Sequence, residues 1–152
     1  DLGGNIRCRG SAAPGRPWSI GVRDPFNRDR IIGTLRLADG MAVATSGGYE
    51  KFVVIEGKRY THIMDPRTGW PVEGVASVTV IAATAVEADA MSTAVFVLGL
   101  KESQPTLARM PSCHVLFIPD ERPARVYISP GVREVFTPDP DFNGKLLDVA
   151  DH

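Results

Sequence analysis

Apolar and polar positions alternate along the first half of the chain, and turn residues separate the alternating stretches. Trp18 to Arg23 and Ile31 to Leu37 follow the two-residue period of a half-buried strand. "ADG" at Ala38 to Gly40 supplies an Asp-Gly reversal before Met41 to Thr45, and two of these three segments are expected to form a hairpin. A second pair, Lys51 to Ile55 and Lys58 to Ile63, is joined through Glu56 and Gly57, again the composition of a tight turn. After the loop "DPRTGWPVEG", Val75 to Ala83 reads "VASVTVIAA", which suits a largely buried strand.

The period then changes. Thr84 and Glu87 have the spacing of a capping box, and the pattern predicts a helix from about Ala85 to Leu98, ended by Gly99. Ala90, Ala94, Val97 and Leu98 recur at helical spacing and are expected to face the sheet. A shorter helix is predicted after Ser103, with Pro105 in its first turn and Met110-Pro111 breaking it. Cys113 to Ile118 and Arg125 to Ser129, joined by "PDERPA", read as a last hairpin. Residues 137–152 are Pro- and Asp-rich and are expected to form an extended or loosely held tail. The predicted class is α+β: a mainly antiparallel sheet with one principal helix packed on it.

Composition narrows the function. With 152 residues, 43% of them hydrophobic and 23% charged, the chain has the make-up of one globular domain, and its formal net charge of -1 offers no basic field for nucleic acid. No apolar run approaches the roughly 18 to 20 residues of a membrane-spanning helix. Cys8 and Cys113 stand far apart outside any CxxC pattern, which favours two free thiols. The sequence opens on "DLGGNI", which reads like the interior of a fold, so a preceding segment is expected.

Three groups of residues can carry chemistry. In "EADAMSTAVFVLG", Asp89 and Thr93 are four residues apart, so on a helix their oxygens share one side and can converge on a hard cation such as magnesium. The alternative is an Asp favoured by the helix dipole beside a solvated Thr. In "YTHIMDPRTGWPV", His62 stands where a strand runs into a turn; it can serve as a general base or simply as a structural histidine. Asp65 can bond to its own turn, and Arg67 can meet a phosphate or solvent, with solvent favoured. The glycine-rich "DLGGN" and "TSGGYE" let backbone approach an anion, or are merely turns.

Taken together and in order, "DLGGNI", "WSIGVRDP", "ATSGGYE", "GKRYTHIMDPRTGWPV" and "EADAMSTAVFVLG" resemble the ApbE family of FAD:protein FMN transferases, the flavin transferases. The likeness is close from Asp1 to Leu100 and rests on length and pattern beyond it. Its most specific parts are H-(I/V)-x-D-P-x-T-G and A-D-x-x-(S/D)-T-A. The resemblance implies an ApbE-like, T-fold-related architecture of which residues 1–152 are the C-terminal half. It further implies FAD as substrate and Mg2+ as cofactor, with Asp89 and Thr93 as metal ligands and Ser92, an acid in some relatives, as a further candidate. Asp1, Gly3, Gly4, Ser46, Gly47, His62 and Ile63 would lie at the FAD, and His62 would take part in transfer.

The implied reaction is attack by a target protein's Thr or Ser hydroxyl on the flavin-side phosphorus of FAD, leaving FMN esterified to the target and releasing AMP. Family targets carry a Ser/Thr-Gly-Ala-Ser/Thr motif and belong to membrane redox complexes, which implies a periplasmic or membrane-anchored enzyme on the outer face of the inner membrane. Alternatives on the same site are a magnesium-dependent FAD pyrophosphatase and a non-catalytic FAD-binding module. Because the family draws a backbone carbonyl ligand and further FAD contacts from upstream of "DLGGN", the 152 residues alone are expected to bind FAD weakly and transfer FMN poorly.

Overall fold

The computed structural model describes residues 4–49 and 51–151. In chain order these form β1 (Asn5–Arg7), β2 (Trp18–Asp24), β3 (Asn27–Leu37), β4 (Ala42–Gly47), β5 (Phe52–Ile55), β6 (Lys58–Thr61), β7 (Met64–Asp65), β8 (Trp70–Pro71) and β9 (Val75–Ala82). The helix α1 (Ala85–Leu107) follows, then β10 (His114–Pro119), β11 (Arg125–Ile128), the short α2 (Pro130–Arg133), β12 (Phe136–Pro138), β13 (Lys145–Asp148) and a 3-10 turn at Val149–Asp151.

The main sheet has the order β1-β4-β9-β10-β11-β13 and is antiparallel except for the pair β11 and β13. A second antiparallel sheet joins β12, β3 and β2, while β5–β6 and β7–β8 are separate hairpins. Both faces of the main sheet are covered, which explains why β9 is buried at every residue from Ala76 to Ala82. Val43, Ile81, Leu116, Ile118 and Ile128 pack on one face with Ile32, Leu35 and Leu37 of β3. Ala42, Ala44, Val78, Val80 and Val115 pack on the other with α1. The result is the α+β architecture that the periodicity predicts, with α1 as the principal helix.

Local signals predict these elements well. Glu56 and Gly57 both adopt positive φ, 50° and 77°, the backbone sense of a tight hairpin turn. Of the three N-terminal segments, β2 and β3 form the hairpin, while β4 leaves through Gly40 for the main sheet. The Thr84–Glu87 capping box is formed in both directions. Gly99, at φ 75° and ψ 168°, interrupts α1 where the first helix was expected to end; the helix resumes at once, earlier than the expected restart after Ser103.

One expectation is corrected. The face of α1 turned to the sheet is Ala88, Met91, Ser92, Val95 and Phe96, whereas Ala90 is exposed and Ala94, Val97 and Leu98 are half-buried. Both sets have helical spacing, but burying Met91, Val95 and Phe96 removes far more apolar surface from water. The chain after Thr137 is extended and paired: β12 joins β3, and β13 extends the main sheet alongside β11. Cys8 and Cys113 are free and buried in different cores, and burial pushes both thiols up from their ordinary pKa.

Candidate functional site

The C-terminal end of β4 and the start of α1 bring the first group of side chains together. Asp89 and Thr93 each follow a buried residue of α1, Ala88 and Ser92, so they stand exposed at the rim of the buried stripe. Ser46, nearly buried on β4, places its Oγ 2.9 Å from Ser92 Oγ and 3.1 Å from Thr93 Oγ1. Ser92 Oγ also lies 2.9 Å from the Asp89 carbonyl oxygen, to which it donates. The pairing of β1 with β4 carries Asn5 to the same place, where its Nδ2 donates to Asp89 Oδ1 at 2.9 Å.

The β5–β6 hairpin delivers the second group. Its register sets Phe52 opposite Thr61, so Lys51 and His62 leave the hairpin side by side. His62 holds the Lys51 carbonyl twice, through its backbone N–H at 3.2 Å and its ring Nδ1 at 2.9 Å. A carbonyl oxygen only accepts, so Nδ1 carries the proton and the neutral ring presents Nε2 as its basic nitrogen. Ile63 is tied on by a bond from Val72 N–H to its carbonyl, 3.0 Å.

Asp89, Thr93, Ser46 and Asn5 from the first group line one cleft with Lys51, His62 and Ile63 from the second, together with Thr45, Gly47 and Met64. Its volume is about 570 Å³. Gly47 is needed there because a Cβ would come 2.6 Å from the Tyr49 ring. The residues lining the cleft thus bring together a carboxylate, three hydroxyls, an ammonium and an imidazole.

Other sequence candidates lie elsewhere. Ser92 is 1% exposed, and its hydroxyl is turned to Ser46 and the Asp89 carbonyl instead of the cleft. Gly4 adjoins Asn5 but lines a neighbouring cavity between the two sheets. Asp1 and Gly3 fall outside the described residues. Asp65 is spent on its own turn and on Arg67, which lies exposed at the surface as favoured, its guanidinium also reaching Glu102 Oε2 at 2.6 Å, away from the cleft. Those bonds hold the Asp65 carboxyl below its ordinary pKa and raise that of Arg67.

Sequence reasoning missed Asn5 and Lys51. Both signals were present: Asn5 is the last residue of the glycine-rich "DLGGN", and the predicted hairpin already implies that Lys51 faces His62. Among the described residues no group of three or more His, Cys, Asp or Glu gathers to hold a metal ion. Asp89 and Thr93 are nonetheless hard oxygen donors, the kind that suits magnesium when substrate phosphate and water complete its shell.

The family model for ApbE matches residues 1–117. This chain belongs to the ApbE family. Among relatives, the FAD:protein FMN transferase of Salmonella typhimurium is 38% identical over 109 residues, covering 71% of this chain and 31% of that protein. The FAD:protein FMN transferase of Treponema pallidum is 40% identical over 132 residues, 80% of this chain and 36% of that protein. The crystal structure of the ApbE protein from Thermotoga maritima superposes with a TM-score of 0.78 at 39% identity, over 89% of this chain and 43% of that one. The ApbE chain described here therefore spans about a third of the length of the curated relatives it matches.

Proposed function

We propose that the chain carries the metal-binding and histidine-bearing part of an FAD:protein FMN transferase. The observation that supports this reading is the convergence of Asp89, Thr93, Lys51 and His62 on one cleft in a member of the ApbE family. Asp89 and Thr93 would hold Mg2+, which when bound offsets the charge of the FAD pyrophosphate and of the departing AMP. Lys51 attracts the same phosphates as a point charge. His62, held in one tautomer by the Lys51 carbonyl, accepts at Nε2 the proton of an incoming Ser or Thr hydroxyl. The hydroxyl oxygen bonds to the flavin-side phosphorus as the bond to the AMP oxygen breaks. FMN is left as a phosphoester on the acceptor protein.

The acceptor is a Ser/Thr-Gly-Ala-Ser/Thr segment of a membrane redox protein, and the setting is the periplasmic side of the inner membrane; both parts of the proposal rest on family resemblance alone. The test is incubation of the full-length protein, which includes the segment expected upstream of these 152 residues, with FAD, Mg2+ and a peptide carrying that motif. A flavin-peptide adduct with equimolar AMP is the expected product. Free FMN with AMP would show a pyrophosphatase instead, and unchanged FAD in the presence of Mg2+ would reduce the protein to a binding module.

A further inference from the structure

The hydroxyls behind Asp89 and Thr93 form a chain whose direction is set by proton count. The Asp89 carbonyl oxygen, 2.9 Å from Ser92 Oγ, can only accept, so Ser92 donates its single proton there. Ser92 must then act as acceptor in its 2.9 Å contact with Ser46, which spends the Ser46 proton. In the 3.1 Å contact between Ser46 and Thr93 the proton therefore comes from Thr93. On the other flank, Asn5 Nδ2 has only protons to offer and donates to Asp89 Oδ1. Ser46 and Ser92 are 9% and 1% exposed, so bulk water is a poor competitor for these bonds. What remains for the cleft is lone pairs: those of Thr93 Oγ1 and those of the second Asp89 oxygen.

We propose that Ser46, itself oriented by Ser92, is a positioning residue that draws the Thr93 proton away from the cleft, so that the Thr93 oxygen meets a hard cation as a ready acceptor. The inference rests on the reading of Asp89 and Thr93 as the cation site and adds two residues that need not touch the ion. Without Ser46 the Thr93 hydroxyl rotates freely, and its proton can point at the cation's place. Without Ser92 the Ser46 proton loses its acceptor and turns toward Thr93, competing for the same lone pairs.

Mn2+ serves as the paramagnetic probe of the site, its binding to the whole protein followed by electron paramagnetic resonance, with thermal unfolding recorded for every variant. Ser46→Ala is expected to weaken Mn2+ binding about tenfold, the lower end of what loss of an outer-shell partner does, and Ser92→Ala by a smaller factor. In a Thr93→Val background, Ser46→Ala is expected to add nothing, because its effect passes through the Thr93 hydroxyl. A loss that adds fully to that of Thr93→Val would mark a merely structural role and overturn the proposal. So would unchanged affinity in Ser46→Ala, or in Ser92→Ala should Ser46→Ala fail to fold, while Asp89→Ala abolishes binding; the functional reading would then survive. If Asp89→Ala binds Mn2+ as the parent does, the cation site itself is wrong and both readings fall.

Discussion

Ser46, Asp89 and Thr93 stand on β4 and α1, elements whose inward neighbours Ala44, Ala88, Val95 and Phe96 are completely buried. Lys51 and His62, in the same cleft, hang from a hairpin whose four β5 residues, Phe52 to Ile55, are all exposed. The first set is held by packing against a sheet covered on both faces. The second is held by backbone pairing and by the two bonds from His62 to the Lys51 carbonyl. Phe52 has an Arg59 guanidinium 4.3 Å from its ring centroid where a packed element would have a core. One cleft therefore combines a part fixed by the core, which carries Asp89 and Thr93, with a part fixed by a local turn, which carries Lys51 and His62.

The comparison is broken most severely at the part fixed by the core. Asp89→Ala should reduce Mg2+-dependent FMN transfer to background with the fold intact, since Asp89 is exposed and contributes a carboxylate and not packing; chelation of the parent protein should reproduce the loss. Transfer by the variant at the parent rate, with the parent metal dependence, would remove Asp89 from the site. Phe96→Ala, on the buried face of the same helix, should cost about 3–5 kcal/mol in denaturant unfolding, as expected for emptying a fully buried aromatic position. Val54→Ala in the hairpin, at 60% exposure, should stay within about 0.5 kcal/mol. Similar costs at the two positions would mean that the hairpin is packed after all.

His62→Ala should lower the transfer rate about a hundredfold, the lower end of general-base contributions, while leaving Mn2+ affinity within twofold. A matching loss of metal affinity would show that the two parts of the cleft are not separable. The smallest effect concerns the turn below the hairpin. Because the Arg67 bonds depress the Asp65 pKa in the folded state, its contribution is complete above the ordinary carboxylate value, about 3.9, and disappears as pH falls through the lowered one. The Tm difference between the parent and Asp65→Asn should thus be small at pH 7 and shrink as pH falls below the ordinary carboxylate range. A difference that grows on acidification would reverse the assignment.

Much of the scaffold was legible because its signals act over a few residues. The Glu56-Gly57 turn, the Thr84–Glu87 cap and the Gly99 break each involve groups within one turn of chain, and each falls where the spacing predicts. The cleft was legible in part for the same reason, since Asp89 and Thr93 are brought to one side by helical period alone. The family pattern named His62 without any geometry.

Tertiary structure decided what depends on distant partners. Ala90, Ala94, Val97 and Leu98 compete with Ala88, Met91, Val95 and Phe96 for the inward face of α1, and only the area available against β4 and β9 selects the second set. That choice rotates Ser92 inward to Ser46 and leaves Asp89 and Thr93 outward. It also made β4 the partner of β1 and β9 and not of β3, which sets Asn5 beside Asp89 across 84 residues of sequence. Capping, turns and period are free-energy differences within a segment and can be read from it; a helix face or strand neighbour is chosen by burial against the rest of the molecule, and is known only when that molecule has folded.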